Sequence, residues 1–160
     1  MIIKNDTLKI KSKPVDHGDD ISILIDEMFD LMDKSKGIGL AANQVGLDIR
    51  VIVVDVKGYR TEIINPIITR QSRKIKLSTE GCLSFPNRTA KIKRDEAVTV
   101  TGFDRNWNPI KKNCKGLLSY CIQHEIDHLN GRLFIDYLSR VKRDMIIRKM
   151  TKEARFEREE

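Results

Sequence analysis

Apolar positions along this chain change period several times, and each change marks an element. Ile21, Leu24, Ile25, Met28, Leu31 and Met32 recur at the spacing of one helical face. They predict a helix over residues 20–35, with Asp20 as N-cap and Gly37 as the C-terminal glycine. A run of small residues follows, Gly37-Ile38-Gly39-Leu40-Ala41-Ala42-Asn43-Gln44. Residues 49–56 are β-branched and predict a mostly buried strand. Shorter strands are expected at 62–64, 75–77 and 97–103, the last alternating as a half-buried strand does. Asp104-Arg105-Asn106 reads as a turn, with a returning strand at 109–112. A second helix is expected at 117–129, stopping before Gly131. A third is expected at 139–157, with Val141, Met145, Ile146 and Met150 on one side. Helices and strands do not alternate regularly. The pattern therefore predicts an α+β fold: small, mainly antiparallel sheets packed around a central helix, with a C-terminal helix.

Composition narrows the class. The 160 residues, 40% hydrophobic and 33% charged, suit one domain over 1–160 and argue against wholesale disorder. No apolar run approaches the ~20 residues that cross a bilayer, so no membrane partner is expected. Residues 1–13 lack the apolar core and cleavage site of a secretory signal, which points to a cytoplasmic location. Thirty basic against 23 acidic side chains leave a net charge of +7. That excess permits contact with nucleic acid or an acidic surface without demonstrating either; the simpler reading is a soluble basic enzyme. Three cysteines without a signal sequence read as reduced thiols, free to bind metal or fill core.

The sharpest chemical signal is His124-Glu125-Ile126-Asp127-His128 on the second helix. At about 100° per residue, Leu117, Cys121, His124 and His128 share one stripe roughly 60° wide, with Glu125 at its edge. Leu118, Ile122, Ile126 and Leu129 form a separate apolar face. Two histidines one turn apart grip a single metal ion, and the glutamate between them reaches its water. A catalytic site of this type needs a third protein ligand. The position where the metzincin pattern has its third histidine holds Phe134, although Gly131 fits that pattern's glycine. Glutamates from Glu153 onward lie in a charged tail, and His17 sits in a polar turn. Thiols remain. Cys82 and Cys121 are rivals, with an edge to Cys82 because a separate segment completes a tetrahedron more freely; Cys114 reads as structural or exposed.

Three segments together resemble the peptide deformylase family: Gly37 to Gln44 as quoted above, Glu80-Gly81-Cys82-Leu83-Ser84, and Gln123-His124-Glu125-Ile126-Asp127-His128. The resemblance covers residues 14–138 and, more loosely, the final helix. It departs at residues 5–9, which lack the proline and Leu-Arg pair often seen there. The short turn at 57–60 resembles the compact bacterial and organellar branch. The resemblance implies Cys82, His124 and His128 as ligands of one divalent metal, Fe(2+) natively, with Zn(2+) or Ni(2+) in purified protein. It implies Glu125 as the catalytic carboxylate, and Gln44 with the backbone N–H of Leu83 as the oxyanion hole. Gly39 and the backbone at Ile38 and Gly81 would pair with an extended peptide. Ile38, Leu117, Tyr120 and Cys121 would form the pocket for the methionine side chain, with His124 at its edge. The implied substrate is the N-formyl-Met end of a nascent chain, with ribosome contact through the basic C-terminal helix and no DNA partner.

Asp127 and Gln123 are candidates to orient the ligands. Two rival readings stand beside this one. A peptidase would use the same His-Glu-x-x-His helix, and a metal-stabilised RNA-binding module would use the positive charge.

Overall fold

The computed structural model describes residues 6–159 of the chain. In order, its elements are α1 (Ser22–Lys34), β1 (Gly39–Ala41), β2 (Val51–Val56), β3 (Tyr59–Gln71), β4 (Ile75–Cys82), β5 (Phe85–Asp95), β6 (Ala97–Phe103), β7 (Pro109–Lys115), α2 (Leu117–Leu129) and α3 (Arg140–Glu159). Short 3₁₀ turns lie at Asp6–Lys9, Ala42–Val45 and Phe134–Tyr137. Strands β1, β2, β3, β6 and β7 lie side by side in one sheet, and β4 and β5 form a separate two-stranded one. All pairings between these strands are antiparallel, as the α+β reading expects.

The alternation of β2 explains how the large sheet is covered. Val51 and Val53 point to one side, where they meet Ile25, Met28, Phe29 and Met32 of α1. Ile52 and Val54 point to the other, where they meet Ile122, Ile126 and Leu129 of α2. Because both faces are buried, β2 reads as a continuous apolar run rather than an alternating one. A third core packs Phe85 and Ile92 of β5 on Phe134 and Ile135, with Ile146 and Met150 of α3 against it. Helix α2 touches β1, β2, β5, β6 and β7, so the central helix holds.

Several expected boundaries move. Helix α1 begins at Ser22 after an N-cap at Ile21, while Asp20 accepts a 3.0 Å hydrogen bond from the Ser22 N–H. At its other end the left-handed residue is Lys36, with φ 55°, and Gly37 follows it, donating its N–H to the Met32 carbonyl at 2.9 Å. Residues 62–64 are only the middle of β3, and 75–77 only the start of β4. Strand β5 was not expected: its inward positions include Arg94 and its outward ones Lys91 and Lys93, so charge masks the alternation. On α3, Val141 and Met145 face away from the core and Ile146 and Met150 face it. Of residues 5–9, Asn5 lies outside the described residues, and Asp6–Lys9 is a 3₁₀ turn that buries Leu8.

Candidate active site

Helix α2 is buried on two sides, with Cys121 through Ile126, His128 and Leu129 all buried. Its end is tied down by neighbours. Ser12 N–H donates to the Leu129 carbonyl at 2.8 Å, and the Asn43 side-chain amide to the His128 carbonyl at 2.5 Å. Gly131, at φ 72°, turns the chain where a Cβ would strike the Lys9 carbonyl.

On this fixed helix the two imidazoles meet a sulfur from the end of β4. His128 Nε2 lies 3.1 Å from Cys82 Sγ and 3.2 Å from His124 Nε2. The three donor atoms all lie within 4.8 Å of one another. Cys82, not Cys121, therefore joins the histidines; the Cys121 thiol donates to the Ile38 carbonyl at 3.4 Å instead. Cys114 is buried in the sheet core, and His17 packs edge-on to Phe103 and tilted against Trp107, apart from this cluster.

The donor set fits a metal ion. His124 Nδ1 lies 3.0 Å from Glu80 Oε2, so that ring edge donates and Nε2 keeps a lone pair facing the other donors. Burial holds His128 well below its ordinary pKa and so favours its neutral, ligating form. Two ring nitrogens and a sulfur converging on one point are the donor set of a four-coordinate divalent site that leaves one position open.

Glu125 sits beside this cluster. Burial pushes its carboxyl up to about 7, and its Oε2 has no hydrogen-bond partner among the described residues. Gly39 makes room for it: a Cβ there would stand 2.5 Å from Glu125 Oε1 and 2.7 Å from Cys121 Sγ. The glycine read from sequence as a place for substrate backbone is thus also the space that holds the carboxylate. Gln44 is locked as well. Its Oε1 accepts the Ala41 N–H at 2.9 Å, which leaves the amide nitrogen to donate to Ser84 Oγ at 3.2 Å and toward Cys82 Sγ at 3.4 Å.

Gln44, Glu80, Cys82, Cys121, His124 and Glu125 line one cavity of about 510 Å³, together with Ile38, Gly39, Gly81, Leu83, Leu117 and Tyr120. His128 lies behind it, fully buried. Strands β1 and β4 each pair on one side only, β1 with β2 and β4 with β5. Their unpaired edges are suited to accept an extended peptide.

A buried network went unseen in the sequence. The Arg94 guanidinium donates to both oxygens of Glu80, at 2.6 and 2.9 Å, and to Asp127 at 2.6 Å and the Tyr137 hydroxyl at 3.1 Å. Burial alone would raise the Glu80 carboxyl, but hydrogen bonds from Arg94 and His124 overcome it and hold the group below its usual range. Asp127 thus acts on the cluster through Arg94 and Glu80. Gln123 does not touch the ligands; it bonds the Asp95 backbone and Ser119.

Fold and site together define a metal-dependent hydrolase. The model of the polypeptide deformylase family matches residues 1–144. Peptide deformylase of Rhizobium meliloti (strain 1021) is 44% identical over 161 residues, spanning 97% of this chain and 92% of its own. The crystal structure of a peptide deformylase from Legionella pneumophila has a TM-score of 0.91 at 40% identity, over 100% of this chain and 96% of that one. The Ehrlichia chaffeensis peptide deformylase in complex with actinonin gives 0.89 at 38% identity, over 95% and 94%. The chain belongs to the polypeptide deformylase family.

Proposed function

We infer that the chain removes the formyl group from the N-formyl-methionyl end of nascent polypeptides by metal-dependent hydrolysis, releasing formate and a free amine. The observation that carries this reading is the meeting of Cys82 Sγ, His124 Nε2 and His128 Nε2 beside the buried Glu125 carboxyl, with Cys82, His124 and Glu125 lining the cavity and His128 behind it. A divalent cation held by those three donors supplies the Lewis acidity that makes water nucleophilic at neutral pH. The thiolate among the donors is compatible with Fe(2+) as the native ion and with Zn(2+) or Ni(2+) in purified protein.

The chain's own residues do the rest. The substrate enters as an extended strand between β1 and β4, pairing with backbone at Ile38, Gly39 and Gly81. Its methionine side chain fills the recess of Ile38, Leu117, Tyr120 and Cys121. Glu125 takes a proton from the attacking water and passes it to the leaving amine, acting as base and acid in turn. The Gln44 amide and the Leu83 N–H donate to the carbonyl oxygen as it gains negative charge. Arg94 and Glu80 keep His124 in the tautomer that ligates.

Among the described residues no helix is long and apolar enough to cross a membrane. The reading includes a cytoplasmic location. It also includes ribosome contact through α3, on which Arg140, Lys142, Arg148 and Lys149 are exposed.

The test is formate release from a formyl-Met tripeptide by anaerobically purified protein, with metal analysis of the same sample. Formate and one new amine per turnover, from protein holding one metal ion per chain, are expected. Cleavage inside the peptide, or no release by loaded protein, overturns the reading.

A further inference from the structure

The outer face of the β4–β5 hairpin adjoins the cavity at Thr79, Gly81 and Thr89. Leu77, Thr79 and Gly81 of β4 and Thr89, Lys91 and Lys93 of β5 are its exposed residues, alternating with buried Ser78, Glu80, Ile92 and Arg94. Register sets Gly81 opposite Thr89, Thr79 opposite Lys91 and Leu77 opposite Lys93. Gly81, Thr79 and Thr89 line the cavity, whereas Lys91, Leu77 and Lys93 lie past its end. Each further pair along the hairpin is about 6.7 Å from the last. The face starts at Cys82, beside the reacting centre, so moving from Gly81 to Leu77 is moving away from the scissile bond.

Its charge is one-sided. Lys91 and Lys93 make no ion pair among the described residues, and the exposed Lys36 stands on the cavity rim. The carboxylates that line the cavity, Glu80 and Glu125, are buried in its floor. Asp95 shares the outer face, but one pair beyond Lys93, opposite Ile75. Leu77, 63% exposed, lies opposite Lys93 and supplies apolar surface.

We propose that the nascent chain downstream of the methionine continues along a track, the free edge of β4 beside this face, and that Lys91 and Lys93, one strand in from that edge, select acidic side chains at about the third to sixth residues. The occupant is the substrate's own continuation. An extended chain advances about 3.3 Å per residue, so a peptide whose first residue lies at Gly81 reaches Lys91 near its third residue and Lys93 near its fifth. The track is continuous with the cavity and complementary in charge to such a segment. It rests on the deformylase reading and adds a preference to it.

Two formyl-Met heptapeptides, one with Asp and one with Lys at residues four to six, test the track. At low salt the Asp peptide should show a kcat/KM about three- to tenfold higher than the Lys peptide, mainly through KM, and 0.5 M salt should erase most of the difference. The double variant Lys91→Glu/Lys93→Glu should invert the ratio. Taking the ratio within one protein cancels any change in folding or metal content. Equal values for the two peptides in the natural protein, or a ratio the double variant leaves unchanged, overturns the track. Turnover of a formyl-Met tripeptide is the separate check. Its survival beside equal ratios rejects only the track, and its absence rejects the deformylase reading itself.

Discussion

Each side chain at the site is held by something specific, and single substitutions should therefore separate their roles. Glu125→Ala should keep its metal and lose about a hundred- to ten-thousandfold in turnover, the range a positioned acid–base group contributes. Substantial activity at neutral pH in metal-loaded Glu125→Ala would remove that role. Gln44→Leu should lower kcat by about a hundred- to thousandfold with metal content unchanged; a loss under tenfold would take Gln44 out of the oxyanion hole. Glu80→Gln acts one shell further out. Exchanging the carboxylate for an amide disturbs the hydrogen bond that fixes the His124 ring and leaves Arg94 short of a charge partner. Metal affinity, read by competition with a chelator, should weaken about ten- to a hundredfold. Unchanged affinity would mean that Glu80 only supports the hairpin.

Among the elements, α2 was legible in the sequence because two patterns coincide on it: an apolar face, and the imidazoles on a separate stripe. Its observed bounds, Leu117–Leu129, are those the periodicity predicts. The cysteine of the cluster was less legible: spacing gives Cys82 only an edge over Cys121, and the family resemblance favours it. The fold brings Cys82 Sγ to 3.1 Å from His128 Nε2 and turns Cys121 to the Ile38 carbonyl. Strand β5 was hidden for a physical reason. Arg94 occupies an inward position where a strand pattern calls for an apolar residue, and it is tolerated because Glu80 and Asp127 neutralise it. Glu80 and Tyr137 were invisible for the same reason: charged and phenolic side chains look solvated until their partners are known. Glycine gave a partial reading. Gly131 behaves as a stop signal should, whereas at the end of α1 the left-handed position fell to Lys36. Gly131→Ala, forced to φ 72° against the Lys9 carbonyl, should cost about 1–3 kcal/mol for the backbone strain alone. Urea denaturation measures this as a lower midpoint at unchanged slope; an unaltered midpoint would contradict the tight closure of α2.

For the molecule as a whole, the buried network joins β4, β5, α2 and the 3₁₀ turn at Phe134–Tyr137, so its ionisation should register in global stability. Burial pushes the Tyr137 phenol up to about 12, and the hydrogen bond it donates to Asp127 at 2.7 Å adds to the rise. A pKa raised on folding means the neutral phenol is favoured in the folded state. Its contribution is therefore complete below about 10, the unfolded value, and is lost as pH climbs through about 12. The stability difference between the natural protein and Tyr137→Phe should hold steady below pH ~10 and shrink above it, as measured by denaturation across that window. A difference that stays constant to high pH would place the phenol outside the network.

The proposal that one sulfur and two imidazoles hold a single ion underlies the whole account of the site. X-ray absorption at the metal edge of the loaded protein tests it directly, with Cys82→Ser and Cys121→Ser as companions. One sulfur and two imidazole nitrogens are expected around the ion, with the sulfur lost in Cys82→Ser and retained in Cys121→Ser. Sulfur that persists in Cys82→Ser and vanishes in Cys121→Ser would contradict the arrangement.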